Sequence, residues 1–303
     1  MTIILAEKTS NSVLYQSLLE RAQPLEFALD WGCLRGLGWG NIDNPRYLLM
    51  HGWLDNCHSF LPLIAHLNDS DEGIIALDWA GHGYSDHRPV GNYYHFTDYA
   101  YDVWQLIKNQ HWRDITLIGH SMGGFVANIV TTLLPKQVSH LVLIEAFGLL
   151  TGDNDDAHEQ LLSGFQSRKK SQGARWRPYS DKAHAVLARA KTADFSNELV
   201  EVIVERGIKV SAEGEWCWRA DPRVRTTSPY RLPARAVEQI LNQLRVPVVL
   251  IKGNKGYAQL NKALAQWRQC VPQLQVVELA GGHHVHMECP EDIAKLVRNV
   301  SSS

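Results

Sequence analysis

The chain has little of what would place it in several common classes. Its five cysteines (Cys33, Cys57, Cys217, Cys270 and Cys289) are scattered, odd in number and without a Cys-x-x-Cys pair. Neither a disulfide framework nor a thiolate zinc site is expected, and a reducing, cytoplasmic location is the default. A net charge of -2 offers no basic stripe for nucleic acid or anionic lipid. No apolar run approaches the roughly 20 residues that span a bilayer. Residues 1–6 are mostly apolar, but no basic region precedes them and Glu7 follows at once, so no secretory leader is expected. No internal repeat or low-complexity segment is present, no motif calls for a cofactor or a metal, and oligomeric state leaves no signal.

What is present suits one large domain carrying an insertion. With 303 residues, 45% hydrophobic and 20% charged, the chain can bury a sizeable core unaided. Residues 1–24 read as an N-terminal extension with one helix, at 12–22, ended by Pro24. After it, apolar β-rich runs at 25–31, 33–38, 46–50, 73–78, 115–119, 141–144, 247–252 and 274–279 alternate with helix-like segments. That alternation predicts a mostly parallel eight-stranded sheet with helices on both faces. Between residues 150 and 235 the texture changes to charged runs, such as Arg168-Lys169-Lys170, and to helical spacing at 184–190 and 199–208. The expected organisation is a core of 25–149 and 236–303 with a helical cap, 150–235, inserted over a substrate pocket.

The strongest chemical signal is Gly119-His120-Ser121-Met122-Gly123-Gly124, set between an apolar strand and a helix-like run. Gly-x-Ser-x-Gly in a strand–turn–helix context puts the serine on a strained turn, where small neighbours permit close packing. The helix that starts there favours developing negative charge at its N-terminus. Ser121 is therefore the candidate nucleophile. His51-Gly52-Trp53 ends an upstream strand, so the backbone N–H groups of Trp53 and Met122 are candidates for an oxyanion hole. After the last strand comes Gly281-Gly282-His283-His284-Val285-His286, with three histidines competing for the role of base. His283, which directly follows the glycine turn, is the candidate. A metal site on His284 and His286 lacks an apparent third ligand.

These blocks, joined by Asp78-x-x-Gly81-His82-Gly83-x-Ser85, resemble the α/β-hydrolase superfamily from about Phe27 to the C-terminus. His283 with Glu288 and Pro290 matches its closing motif, and the Asp78–Ser85 stretch matches a loop that is structural there. Trp31-Gly32, Trp39-Gly40, His51-Gly52-Trp53-Leu54-Asp55-Asn56, Leu250-Ile251-Lys252 with Gly256-Tyr257, and His283 with Val285-His286-Met287 resemble the serine hydrolase-like branch. The chain departs from the superfamily at the third triad member. The usual Gly-x-x-Asp turn after the penultimate strand reads Gly253-Asn254-Lys255-Gly256. A triad needs a carboxylate to hold the imidazole's tautomer and stabilise its cation. Glu145, in an apolar setting at a strand end, is the candidate, with Asp153 and Asp155 as alternatives; Asp98 and Asp102 read as helix-surface residues.

The expected function is a serine hydrolase, foremost a carboxylesterase acting on small-molecule esters through an acyl-enzyme on Ser121. Carbon–carbon bond hydrolysis, thioester cleavage and peptidase action use the same groups. A non-catalytic, ligand-binding pseudo-hydrolase is the reading from another class. His120, Trp176 and Trp216 are candidates for the pocket wall, with Trp218 and Phe165 beside them.

Overall fold

The computed structural model describes residues 13–67, 72–152 and 156–301, so Asp153 and Asp155 lie outside the described residues. Eight strands form one sheet: β1 (Gln23–Leu29), β2 (Gly32–Trp39), β3 (Tyr47–Met50), β4 (Ile74–Leu77), β5 (Ile115–His120), β6 (Val138–Ile144), β9 (Val248–Gly253) and β10 (Leu274–Leu279). Their spatial order is β1-β2-β4-β3-β5-β6-β9-β10. Only the β1–β2 and β2–β4 pairings are antiparallel; every other pairing is parallel. The α/β-hydrolase fold expected from the sequence is the fold observed.

The central apolar runs, β3, β4, β5, β6 and β9, form strands buried on both sides, whereas the edge strands β1 and β10 are partly exposed; the period of two divides the buried residues between two cores. Leu48, Leu117, Leu141, Leu143 and Leu250 face one core, packed by the helices Phe96–Asn109, Met122–Leu133, Ala234–Leu241 and Ala258–Trp267. Leu49, Ile118, Val142, Ile144 and Ile251 face the other, covered by the helices Leu61–Leu67 and Pro290–Ser301. Residues 13–20 are helical and add Leu18 to this second layer.

Between β6 and the helix Ala234–Leu241 the chain leaves the sheet. It forms the helices Ala157–Ser171, Lys182–Ala190 and Asn197–Gly207 and a small hairpin, β7 (Ile208–Val210) with β8 (Trp216–Trp218). The hairpin belongs to this insertion and not to the main sheet. The two ends of the excursion meet in a bridge between Thr151 and Leu232. Val200, Val204, Ala185 and Ile208 give the inserted segment an apolar cluster of its own. No helix among the described residues is long and apolar enough to cross a membrane.

One surface reading needs correcting. Asp102 is fully buried, not on a helix surface. Trp31 Nε1 and Arg88 Nη2 both donate to its carboxylate at 2.7 Å. Helical periodicity could not show this, because the partners come from 71 and 14 residues away.

Candidate active site

The carboxyl ends of the parallel strands converge on a cavity of about 650 Å³ lined by Ser121, His283, Trp53, His120, Trp176 and Tyr257 among others. Ligand sites of open α/β sheets collect at this edge, where strand ends and loops leave backbone groups unpaired. Ser121 sits between β5 and the helix Met122–Leu133 at φ 49° and ψ -115°, a left-handed backbone that few non-glycine residues adopt. The surrounding glycines are a steric requirement. A Cβ at Gly119 would overlap the Gly123–Gly124 backbone, and one at Gly123 would overlap the Met50 carbonyl. The turn is strained but tightly enclosed, and Met122 opens the helix that follows it.

Glu145, the first residue after β6, also has positive φ, 52°, and is buried. Its Oε1 accepts from the Gly253 N–H at 2.8 Å, and its Oε2 accepts from the Tyr257 N–H at 2.9 Å. The same Oε2 lies 3.2 Å from His283 Nδ1, which donates to it. A Cβ at Gly256 would fall on the Glu145 carboxylate. The carboxylate thus fills the space that a side chain at position 256 would take, the place where the superfamily usually carries its aspartate. The substitution is possible because β6 and β9 are hydrogen-bonded neighbours. Three of the five non-glycine positive-φ residues among those described, Leu54, Ser121 and Glu145, lie at this site, so backbone strain concentrates there.

The loop after β3 holds the opposite wall. Trp53 lines the cavity, is half exposed and donates its indole N–H to the Val224 carbonyl at 3.0 Å. Beneath it, Asp78 accepts from the Cys57 and Tyr84 N–H groups and from Arg206, a residue of the inserted segment. Burial works against the Asp78 charge, yet the Arg206 guanidinium holds its pKa below the usual carboxylate value. The Asp78–Ser85 stretch therefore ties cavity edge to cap.

A second histidine–carboxylate cluster lies beside the first. His284 is held between Asp55 Oδ2, 3.0 Å from its Nε2, and Asp194 Oδ1, 3.3 Å from its Nδ1. Burial alone would discharge this imidazole, but the Asp55 and Asp194 carboxylates push its pKa up to about 9. The His284 hydrogen bond in turn draws Asp194 down to about 2. Arg189 pairs with the other oxygen of Asp55 at 3.0 Å. His120, fully buried, donates its Nε2–H to the His283 carbonyl at 2.9 Å. Burial holds the His120 imidazole neutral. His286 is buried against Phe60 and His120, and neither of its ring nitrogens has a hydrogen-bond partner among the described residues.

Of the expected pocket residues, His120 and Trp176 line the cavity and Trp216 does not. The Trp216 backbone is paired with Tyr179, and its ring packs on the inserted segment's own cluster. Phe165 is 58% exposed and stays outside the cavity. Trp218, expected beside them, does line the cavity, and Tyr179, Tyr257, Arg189 and Asp194 join it unannounced. These residues come from separate helices, strands and loops, and no sequence spacing joins them.

Residues 45–195 match the α/β-hydrolase fold family. A serine hydrolase-like protein of Danio rerio is 26% identical over 288 residues, covering 91% of this chain and 87% of its own length. The crystal structure of a hypothetical protein from Pseudomonas aeruginosa PAO1 is 30% identical, with a TM-score of 0.82 over 92% of this chain and 97% of that one. An esterase of Mycobacterium tuberculosis, 20% identical, superposes with a TM-score of 0.72 over 93% of this chain and 92% of its own, a likeness of fold alone. With the strand order, the serine turn and these relatives together, the chain belongs to the α/β-hydrolase superfamily and resembles its serine hydrolase-like branch.

Proposed function

We propose that this protein is a serine hydrolase with Ser121 as nucleophile, His283 as base and Glu145 as the acid that orients it, acting foremost on small-molecule carboxylic esters. The contact that carries the reading is Glu145 Oε2 to His283 Nδ1 at 3.2 Å. With Nδ1–H donated there, the neutral imidazole keeps its lone pair on Nε2, the nitrogen a base needs. In the first step Ser121 Oγ bonds to the substrate carbonyl carbon as His283 Nε2 takes the hydroxyl proton. The carbonyl π pair moves to oxygen, where the Trp53 and Met122 N–H groups are the proposed donors. Collapse expels the alcohol, which takes the proton back from His283. Water then repeats the sequence and releases the acid. Glu145, buried and bonded to two backbone N–H groups, stabilises the imidazolium formed in both halves.

An ester of modest size suits the aromatic walls, Trp53, Trp176, Tyr179, Trp218 and Tyr257. A cytoplasmic setting accords with the five cysteines, all unpaired. A vacant aspartate position would favour a pseudo-hydrolase, and the Glu145 carboxylate that reaches the same slot from β6 argues for the hydrolase instead. The test is a fluorophosphonate label on the native chain, run beside p-nitrophenyl esters of graded length, a thioester and a peptide. Labelling of Ser121 and ester turnover are expected; an unlabelled protein without turnover would establish the binding alternative instead.

A further inference from the structure

Beside the proposed catalytic groups, residues from three distant parts of the chain aim their donor atoms at one point. Asp55, His120 and His284 each offer one donor atom, a carboxylate oxygen and two ring nitrogens that all lie within 4.8 Å of one another, and all three residues are buried. The two shorter separations are 3.0 Å, His284 Nε2 to Asp55 Oδ2, and 3.8 Å, His120 Nδ1 to Asp55 Oδ2. Ligand atoms around a tetrahedral zinc ion stand about 3.3 Å apart, given metal–ligand bonds near 2.0–2.1 Å. The group brackets that spacing and needs only side-chain adjustment to close.

The protonation pattern is the second observation. His120 donates its Nε2–H to the His283 carbonyl, which leaves an unprotonated Nδ1 turned toward Asp55. That Nδ1 is buried and has no hydrogen-bond partner among the described residues. An orphaned lone pair in such a place is unfavourable unless something occupies it. His284 Nδ1 is bonded to Asp194 and Asp55 Oδ1 to Arg189, so two ligand residues are oriented from behind by a charged partner. Metal-ligating histidines are characteristically held this way through their second nitrogen.

We propose that Asp55, His120 and His284 form a binding site for a transition-metal ion of the Zn²⁺ class, and that its occupation slows the hydrolase. Two imidazoles and one carboxylate suit Zn²⁺ or Co²⁺ better than Ca²⁺ or Mg²⁺. On binding, His284 Nε2 releases its proton to solvent and its lone pair goes to the metal. All three residues line the cavity, from which water completes the coordination. The link to turnover rests on the hydrolase reading, whereas the binding does not. The His283 carbonyl is held by His120, and the His283 N–H is held by Asp194, which also holds His284. Drawing His120 and His284 toward an ion shifts both anchors of the proposed base.

The test uses the full chain, stripped with a chelator and titrated with Zn²⁺ and Co²⁺ against a chromogenic competitor. One equivalent should bind. The Co²⁺ form should show ligand-field bands without a thiolate charge-transfer band. Asp55→Asn and His284→Gln should each weaken binding by at least ~100-fold. Should either variant fold poorly, histidine-ring NMR of the wild-type chain decides: Zn²⁺ should move the His120 and His284 ring signals. Binding lost in His283→Ala but kept in Asp55→Asn would overturn the site, as would a thiolate band or no binding. Ester turnover should fall at least tenfold when the ion is bound. Binding with unchanged turnover would overturn the coupling to His283. An ion-free chain with no turnover but normal binding would instead count against the hydrolase reading alone.

Discussion

His283 and His284 are neighbours in sequence, and each meets a carboxylate, but the two are built for different work. His283 has one carboxylate, Glu145, on Nδ1, and among the described residues no carboxylate meets its Nε2. His284 has a carboxylate on each nitrogen, Asp55 and Asp194. An imidazole gripped on both sides is held as a cation and has no free nitrogen with which to take a proton from a serine. One gripped on a single side keeps a basic nitrogen for chemistry. The number of partners, and not the presence of an acid, separates a proposed base from a strut.

The sharpest way to break this distinction is to remove the chemistry. Ser121→Ala should lower ester turnover by at least ~10,000-fold, with the melting temperature nearly unchanged; steady-state kinetics beside thermal melts would check it. His283→Gln should behave alike, whereas His284→Gln should show a smaller fall in turnover and a loss of about 3–5 kcal/mol in stability, read by denaturant unfolding. Equal kinetic losses in the two would erase the contrast between them.

The acid allows a finer test. Glu145→Gln should reduce turnover by about 1,000-fold, because the wrong tautomer is held. Glu145→Ala should do at least as much, and adding Gly256→Asp to it should restore at least ~10-fold by returning a carboxylate to the shared slot. A double variant no better than Glu145→Ala would show that the two strand ends do not serve the same position.

The smallest expected effect concerns pH. The folded pKa of His284, raised to about 9 from 6.5, means that its stabilisation is complete below pH 6.5 and fades as pH rises through about 9. Thermal melts from pH 6 to 10 should show this decline in the wild-type chain, and His284→Gln should flatten it. A wild-type profile parallel to that of His284→Gln would place the charge elsewhere.

Much of this was readable from the sequence, for identifiable reasons. Buried parallel strands are continuous apolar runs, and the strands Ile115–His120 and Val248–Gly253 fall within one residue of the runs at 115–119 and 247–252. The serine turn was readable because Gly119 and Gly123 answer to local packing. Glu145 stood out as a carboxylate in an apolar setting. What stayed hidden depends on contacts across the fold. Asp55, His120 and His284 come from the loop after β3, the end of β5 and the loop after β10, so no spacing announced them. Trp216 and Trp218 differ by two residues, yet only Trp218 reaches the cavity, a matter of how the inserted hairpin is docked.

That docking has a consequence for the order of events in a turnover. The inserted segment is fastened to the sheet edge through Asp194 at the His283 N–H, Arg189 at Asp55, Ile203 at Asn56 and Val224 at Trp53. An inserted segment that swung away to admit substrate would break one anchor of the proposed base, at the His283 N–H, and the ties on the Trp53 loop in the same motion. On the proposed mechanism, entry with the segment open would meet a loosened site, and the acyl-enzyme would form only after its return. Under that mechanism, commitment to reaction and closure over the substrate would be a single event.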